Sequence, residues 1–230
     1  REYFDKIKIH HKIASALRII RLKNGAINFQ TQEVKFKLDD EGHPVSVYIK
    51  EQKESNHLIE DFMLLANRRV AEYIGKVKGR QKPKPFVYRV HDTPNPEKLA
   101  TFVQFVNKLG YKMNVGGHIS LAKSFNSLFR QIAGKGEENM IETIAIRTMA
   151  KAEYSTDNIG HYGLAFQYYT HFTSPIRRYP DMMVHRLLAR YLSGSTSVNN
   201  EEYEEKCTHS SEREKVASDA ERASVVYGVG

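Results

Sequence analysis

Two prolines in a stretch rich in aromatic and basic residues constrain the fold of this chain more than any other feature. Residues 161–188 contain six aromatic residues, three histidines and three arginines in 28 positions. Pro175 and Pro180 each fix their own φ angle and lack an amide hydrogen, so this part cannot be an uninterrupted helix or a central strand. After Pro180 the apolar residues follow helical spacing, and Asp181 lies where a carboxylate stabilises a first helical turn. The sequence therefore predicts a rigid turn that leads into a helix.

This turn carries two adjacent arginines, Arg177 and Arg178. A guanidinium group can bind phosphate through two parallel hydrogen bonds, and the free amides at a helix start also favour anions. The turn is therefore suited to a phosphate group. A loop with two solvated arginines is the alternative, since short basic turns are common, and spacing alone leaves both interpretations open.

The composition is that of a soluble, basic protein. Of the 230 residues, 40% are hydrophobic and 27% are charged, and the net charge is +8. A positive surface favours polyanions without showing which one. No apolar run approaches the roughly 18 residues that a membrane span needs, and no signal-peptide pattern opens the chain. Cys207 is the only cysteine, so there is no intrachain disulfide and no cysteine zinc cluster, and its acidic setting argues against a catalytic thiolate. We expect a cytoplasmic domain without a membrane segment.

Hydrophobic periodicity predicts an α+β chain in which helices predominate and a small β-hairpin packs against them. Helices are expected over residues 3–22, 57–76, 97–109, 181–192 and 201–226, with two more between 119 and 152. Strands are expected over residues 26–38 and 44–49, paired as a hairpin, and over residues 86–90. Residues 154–160 are expected to form a polar loop. The final helix carries many charges and a thin apolar seam.

The string HYGLAFQYYTHFTSPIRRYPDMMVHRLL, residues 161–188, resembles the signature of the ribonuclease II/R family, the RNB-domain exoribonucleases. Four further blocks are similar to family segments in the same order. They are NGAINF (24–29), LIEDFMLLAN (58–67), RVHD (89–92) and DAER (219–222). The resemblance covers nearly the whole chain and implies a helix-rich α+β fold. It identifies residues 1–230 as one partial RNB catalytic domain.

The resemblance implies processive 3′-to-5′ hydrolysis of single-stranded RNA to nucleoside 5′-monophosphates, with two metal ions that activate water. Arg177 matches the arginine that holds the scissile phosphate and stabilises its transition state. Glu221 matches a glutamate near the terminal nucleotide. The alternatives are a structural salt bridge for Arg177 and, for Glu221, one acid among many on a charged helix.

The resemblance also implies RNA-binding residues. Phe29 matches an aromatic that stacks on the last bases, a contact that tolerates any sequence. Glu60 matches a glutamate that lines the RNA path, and Ser174 and Arg178 belong to the arginine turn. Tyr162 is one of several aromatics that divide between core and channel. A core position for Phe29 and a helix-start position for Glu60 remain open.

The chain departs from the family at the metal site. The family's aspartate cluster, Asp-x₅-Asp-x-Asp-Asp, lies upstream of the NGAINF block, and nothing here reproduces it, since Asp39 and Asp40 form a hairpin turn. The histidines at 161, 171 and 185 lack acidic partners at ligand spacing. We therefore expect no metal ligands in this chain, Mg²⁺ only in a parent enzyme, no cold-shock or S1 domain, and no activity of the chain alone. The rival hypotheses are a non-catalytic RNA-binding scaffold and a basic helical interaction module.

Overall fold

The computed structural model describes residues 3–29, 33–50, 52–77 and 82–227. Within these residues the chain forms seven α-helices and four short strands. The helices are α1 (Phe4–Lys23), α2 (Glu54–Gly75), α3 (Pro96–Lys108), α4 (His118–Ile132), α5 (Glu138–Thr148), α6 (Tyr179–Leu192) and α7 (Asn200–Tyr227). The strands are β1 (Glu33–Leu38), β2 (Pro44–Lys50), β3 (Tyr88–Val90) and β4 (Glu153–Ser155). The prediction of a helix-rich α+β fold is confirmed.

The predicted hairpin forms between β1 and β2, which pair antiparallel with Lys35 opposite Tyr48. Its turn depends on Asp39, whose Oδ1 accepts hydrogen bonds from the amides of Glu41 (3.0 Å) and His43 (2.8 Å). A short acidic side chain that bonds the amides two and four residues ahead closes such a turn. The aspartate pair at this position is thus part of the hairpin turn, as the sequence predicts.

Residues 26–29 do not belong to a strand, and this part of the prediction is wrong. The amide of Ile27 donates to the carbonyl of Gly163 at 2.9 Å, and the amide of Asn28 donates to the side chain of Asn126 at 2.8 Å. These bonds attach the segment to α4 and to a 3₁₀ turn at Tyr162–Leu164. The apolar pattern reflected burial rather than strand pairing. Residues 30–32, the middle of the predicted strand, lie outside the described residues.

A second sheet joins distant parts of the chain, because β3 pairs antiparallel with β4. The strand predicted over 86–90 is therefore present in shorter form, whereas the loop predicted over 154–160 is wrong at its start. Helix α7 packs on β4, where the amide of Tyr154 donates to Ser211 Oγ at 2.9 Å. The carboxylate of Glu204 accepts hydrogen bonds from Ser155 and Thr156.

Two clusters of buried side chains form the core. One is built mainly from α3, α4 and α5, and the other from α2, β3, α6 and α7. Residues 161–188 connect them, since Tyr162 belongs to the first cluster and Leu187 to the second. Cys207 lies fully buried in the second cluster, where burial raises the pKa of its thiol to about 12. A thiol that stays protonated in this way is structural.

Helices α1 and α2 are joined by a buried ionic contact. Asp61, 3% exposed, accepts hydrogen bonds from Arg18 Nε at 2.9 Å and from Arg21 Nη2 at 3.3 Å. In the described part of the chain, none of the helices has both the length and the apolar character to cross a lipid bilayer.

Candidate nucleic-acid interface

The arginine loop, residues 173–178, has the rigid form that its prolines predict. The carbonyl of Ser174 accepts hydrogen bonds from the amides of Arg177 (3.3 Å) and Arg178 (3.0 Å), so the chain reverses around Pro175. Helix α6 starts at Tyr179 with Pro180 in its first turn, where a missing amide hydrogen costs nothing. The loop therefore ends directly at a helix N-terminus.

Arg177 and Arg178, although adjacent, have opposite environments. Arg177 is exposed, and its Nη2 donates to Ser174 Oγ at the long distance of 3.4 Å. The side chain of Arg178 is 21% exposed, and its Nη2 donates to Asp181 Oδ1 at 2.8 Å. Arg178 is therefore committed to a carboxylate of its own chain, whereas the guanidinium of Arg177 faces solvent.

Below the loop lies a set of hydrogen-bonded aromatic and histidine side chains. The hydroxyl of Tyr154 is 2.8 Å from His171 Nδ1. Asn67 donates from Nδ2 to the hydroxyl of Tyr169 at 3.2 Å, and its Oδ1 accepts from the amide of Phe172 at 3.0 Å. Asn67 thus connects α2 to the segment that leads into the arginine loop.

Three arginines lie close to this set of side chains. Burial, together with the charges of the nearby Arg178 and Arg89, lowers the pKa of His171 to about 2. Burial raises the pKa of Tyr169, and the charges of Arg178, Arg89 and Arg21 oppose that increase. At neutral pH His171 and Tyr169 are both uncharged. The side chains that support the loop, His171 and Tyr169, are therefore neutral and lie among arginines.

Most of these arginines have a carboxylate partner. Arg21 contacts Asp61, and Arg89 makes two hydrogen bonds to Glu214, at 2.6 and 2.9 Å. Arg178 contacts Asp181, as described above. Arg177 differs, since the contact described for it is to a hydroxyl group, and its charge is available to an external anion.

Phe29 and Tyr162 lie together on the first core cluster. The ring of Phe29 is 5.4 Å from that of Phe129, and Tyr162, 9% exposed, is 4.4 Å from the ring of His118. Phe29 is partly exposed and borders a cleft of about 1770 Å³. The basic residues along this cleft are Lys98, Arg147, Lys151 and Arg222. Phe29 therefore packs against the core and also lines the cleft, while Tyr162 is a core residue.

Two stacked histidines form another edge of this region. His91 and His161 lie 5.0 Å apart, and His91 Nδ1 accepts a hydrogen bond from the amide of Gly163 at 3.1 Å. Burial lowers the pKa of His161 to about 3, so this ring is neutral. His161 Nδ1 in turn accepts from the amide of Leu164 at 3.3 Å. Both rings therefore hold the 3₁₀ turn in place.

The two predicted acidic site residues lie outside the arginine loop. Glu60 is exposed near the start of α2, with Oε2 3.3 Å from His57 Nδ1. Glu221 is exposed on α7, next to Arg222 of the cleft. The loop itself unites Ser174, Arg177 and Arg178.

Sequence reasoning missed the polar residues that hold this site. Asn67 lies within a recognised block, and Asp181 was expected only to stabilise a helix start. Both are buried and accept backbone hydrogen bonds from the segment around the loop. A polar residue in an otherwise apolar pattern is the signal that would have identified Asn67.

In the described ranges, no group of three or more histidine, cysteine, aspartate or glutamate side chains lies together in a way that could hold a metal ion. Asp181, the buried carboxylate beside the loop arginines, contacts Ser174 and Arg178 through Oδ1, and no second acidic or histidine side chain joins it in such a group. The residues described here therefore do not fit a divalent metal.

Comparison with known families decides the assignment. The model of the RNB domain matches residues 2–194. This chain belongs to the RNB family. The RNB match covers the arginine loop and the core elements that support it.

The relatives of this RNB chain include ribonucleases. It is 37% identical over 211 residues to ribonuclease R of Aquifex aeolicus, covering 90% of this chain and 29% of the relative. It is 37% identical over 223 residues to ribonuclease R 1 of Lactococcus lactis, covering 95% and 27%. The chain thus spans less than a third of the length of these relatives.

Solved structures share the fold. Mycoplasma genitalium RNase R in complex with ribose-methylated single-stranded RNA superposes with a TM-score of 0.85 at 25% identity, over 98% of this chain and 35% of that one. Yeast Ssd1, a pseudonuclease, superposes with a TM-score of 0.64 at 23% identity, over 89% and 26%. The RNB fold thus occurs both in nucleases and in a pseudonuclease.

Proposed function

We propose that this chain forms part of a processive 3′-to-5′ exoribonuclease and binds single-stranded RNA at the arginine loop. The observation that carries the proposal is the contrast between the two loop arginines, since Arg178 is paired with Asp181 and Arg177 is exposed. RNA bound to the RNase R neighbour and the ribonuclease names of the relatives support it.

In this proposal Arg177 binds the phosphate at which the chain is cut. Its planar, permanently charged group can donate two hydrogen bonds to phosphate oxygens and stabilise the negative charge that develops on them. Ser174, which shares the loop, orients the guanidinium through its hydroxyl. Phe29 borders the cleft with a partly exposed ring, which suits stacking against a base.

In this proposal the divalent metal ion, Mg²⁺, is bound by aspartates outside this chain. Because the residues described here do not fit a metal, no step of their chemistry is assigned to one. We infer that the chain alone does not cleave RNA. Incubation of the purified chain with labelled RNA and Mg²⁺ tests this, and shortening of the RNA from its 3′ end would show the inference to be wrong.

RNA binding tests the role of Arg177. Labelled oligo(A) RNA is titrated into the purified chain at two salt concentrations, alongside Arg177→Ala and a matched control, Arg186→Ala, which removes an exposed arginine from α6. A charge-assisted phosphate contact contributes about 1.5–3 kcal/mol, so Arg177→Ala should weaken binding roughly tenfold or more. The slope of log K against log salt should also fall by about 0.7.

The control separates a specific contact from general charge. If Arg177→Ala and Arg186→Ala weaken binding equally, the effect is diffuse electrostatics and the assignment of Arg177 fails. A non-catalytic RNA-binding relative, for which the pseudonuclease neighbour supplies the structural precedent, would also bind RNA without cleaving it. The Asp-x₅-Asp-x-Asp-Asp cluster in the full-length protein distinguishes the two, because only the exoribonuclease requires it. No salt-sensitive binding at all would favour a protein interaction module.

A further inference from the structure

The arginine loop is fastened at both ends to a single carboxylate oxygen. Asp181 is fully buried, and its Oδ1 accepts one hydrogen bond from the amide of Ser174 and one from Arg178 Nη2, both at 2.8 Å. Ser174 begins the turn and Arg178 ends it. Arg177 lies between them, on the part of the turn that faces solvent.

The hydrogen bonding between the arginine loop and Asp181 is incomplete. Arg178 Nε, Asp181 Oδ2 and Thr173 Oγ1 are buried and have no hydrogen-bond partner, and they are three of the four such side-chain atoms in the described part of the chain. A buried polar atom without a partner lowers stability, because it has lost its hydrogen bonds to water. Three such atoms around one short loop indicate that the loop conformation is maintained for function rather than for stability.

We propose that Asp181 and Arg178 are positioning residues that hold Arg177 in the orientation required for phosphate. This inference rests on the proposed function of Arg177 and changes the role predicted for Arg178 from RNA binding to support of the loop. A guanidinium fixed before RNA arrives loses less conformational entropy on binding than a free one.

The direction in which one substitution changes RNA affinity distinguishes this role from simple electrostatics. Asp181→Asn keeps an oxygen that can accept from the Ser174 amide but removes the charge that holds Arg178. The substitution makes the chain more positive, so electrostatics alone would strengthen RNA binding. A positioning role predicts that binding weakens, by roughly fivefold to tenfold, because Arg177 is no longer held in place.

A double-mutant cycle shows whether Asp181 acts through Arg177. Oligo(A) affinity is measured for the wild-type chain, Asp181→Asn, Arg177→Ala and the double variant. In the Arg177→Ala background, Asp181→Asn should change affinity less than about twofold, since the residue that it positions is absent. Equal effects of Asp181→Asn in both backgrounds would overturn the positioning role and leave the proposed function of Arg177 intact. Normal binding by Arg177→Ala would overturn the proposed function, and the positioning role with it.

Two further variants keep the test valid if Asp181→Asn folds poorly. Arg178→Lys retains the positive charge but not the planar fork, so a positioning role predicts weaker binding, whereas a direct contact of Arg178 with RNA through its charge predicts near-normal binding. Glu202→Gln removes a negative charge from an exposed pair with Lys206 on α7 and is the control for net charge. Circular dichroism of each variant confirms that the folded state is the one compared.

Discussion

Arg89 and Glu214 join β3 to α7 through two parallel hydrogen bonds, at 2.6 and 2.9 Å. The guanidinium of Arg89 also lies 4.6 Å from the centre of the Tyr154 ring on β4. One side chain therefore connects both strands of the second sheet with the helix that covers them, at the edge of the set of side chains below the arginine loop.

Glu214→Gln should lower the free energy of unfolding by about 1 kcal/mol. The bidentate geometry strengthens the pair, but Glu214 is half exposed, so solvent screens much of the charge. Urea unfolding followed by circular dichroism measures the change. Glu212→Gln, an exposed glutamate on the same helix, should alter stability much less, and an equal loss from both variants would mean that the Arg89 contact contributes nothing specific.

The adjacent acids of α2 should differ sharply in their contribution to stability. Asp61 is buried against two arginines of α1, so Asp61→Ala leaves those charges without their partner and should cost about 3 kcal/mol. Glu60→Gln changes an exposed side chain and should cost less than about 0.5 kcal/mol. Urea midpoints of the two variants provide the comparison, and similar values would show that the α1–α2 ion pair is not a structural contact.

Glu60 and Asp61 also show what a sequence pattern cannot predict. The helical pattern predicts α2, yet Glu60 and Asp61 are neighbours in one block, and the acid that faces inward depends on Arg18 and Arg21, about 40 residues earlier. The arginine loop was predictable because two prolines act locally on their own backbone. The side chains that support the loop were not predictable, since Asn67 lies on α2, which is distant in sequence from the loop.

The errors in the predicted strands have the same origin. Apolar residues at 26–29 are buried, but their backbone partners are Gly163 and Asn126, which no local pattern reveals. Strand β4 has three residues, too few to show alternation, and forms because β3 lies alongside it. Local rules thus predicted the seven described helices and the β1–β2 hairpin, whereas contacts between distant segments decided the rest.

Gly75→Ala should destabilise the chain although alanine normally favours helices. A methyl group at Gly75 would lie 2.5 Å from Tyr168 Cδ1 and 2.9 Å from the hydroxyl of Tyr88, so both rings must move. We expect a loss of about 1–2 kcal/mol in urea unfolding. Gly136→Ala is the control, because no atom beyond its own chain neighbours lies within 4 Å of its added methyl group, and it should be neutral or slightly stabilising. A stabilising Gly75→Ala would contradict the close approach of Tyr168.

Acid should weaken the fold through His171. Burial lowers the pKa of this histidine from 6.5 to about 2, so between these values the unfolded chain binds a proton that the folded chain does not. Its stabilising contribution is complete above pH 6.5 and decreases as the pH falls toward 2, by about 1.4 kcal/mol per pH unit. His171→Gln should therefore reduce the dependence of unfolding free energy on pH between 4 and 6 by about that slope, as urea titrations at several pH values would show. His209→Gln, which removes an exposed histidine from α7, is the control. An unchanged pH dependence in His171→Gln would mean that the ring is protonated in the folded chain between pH 4 and 6, so that burial does not lower its pKa.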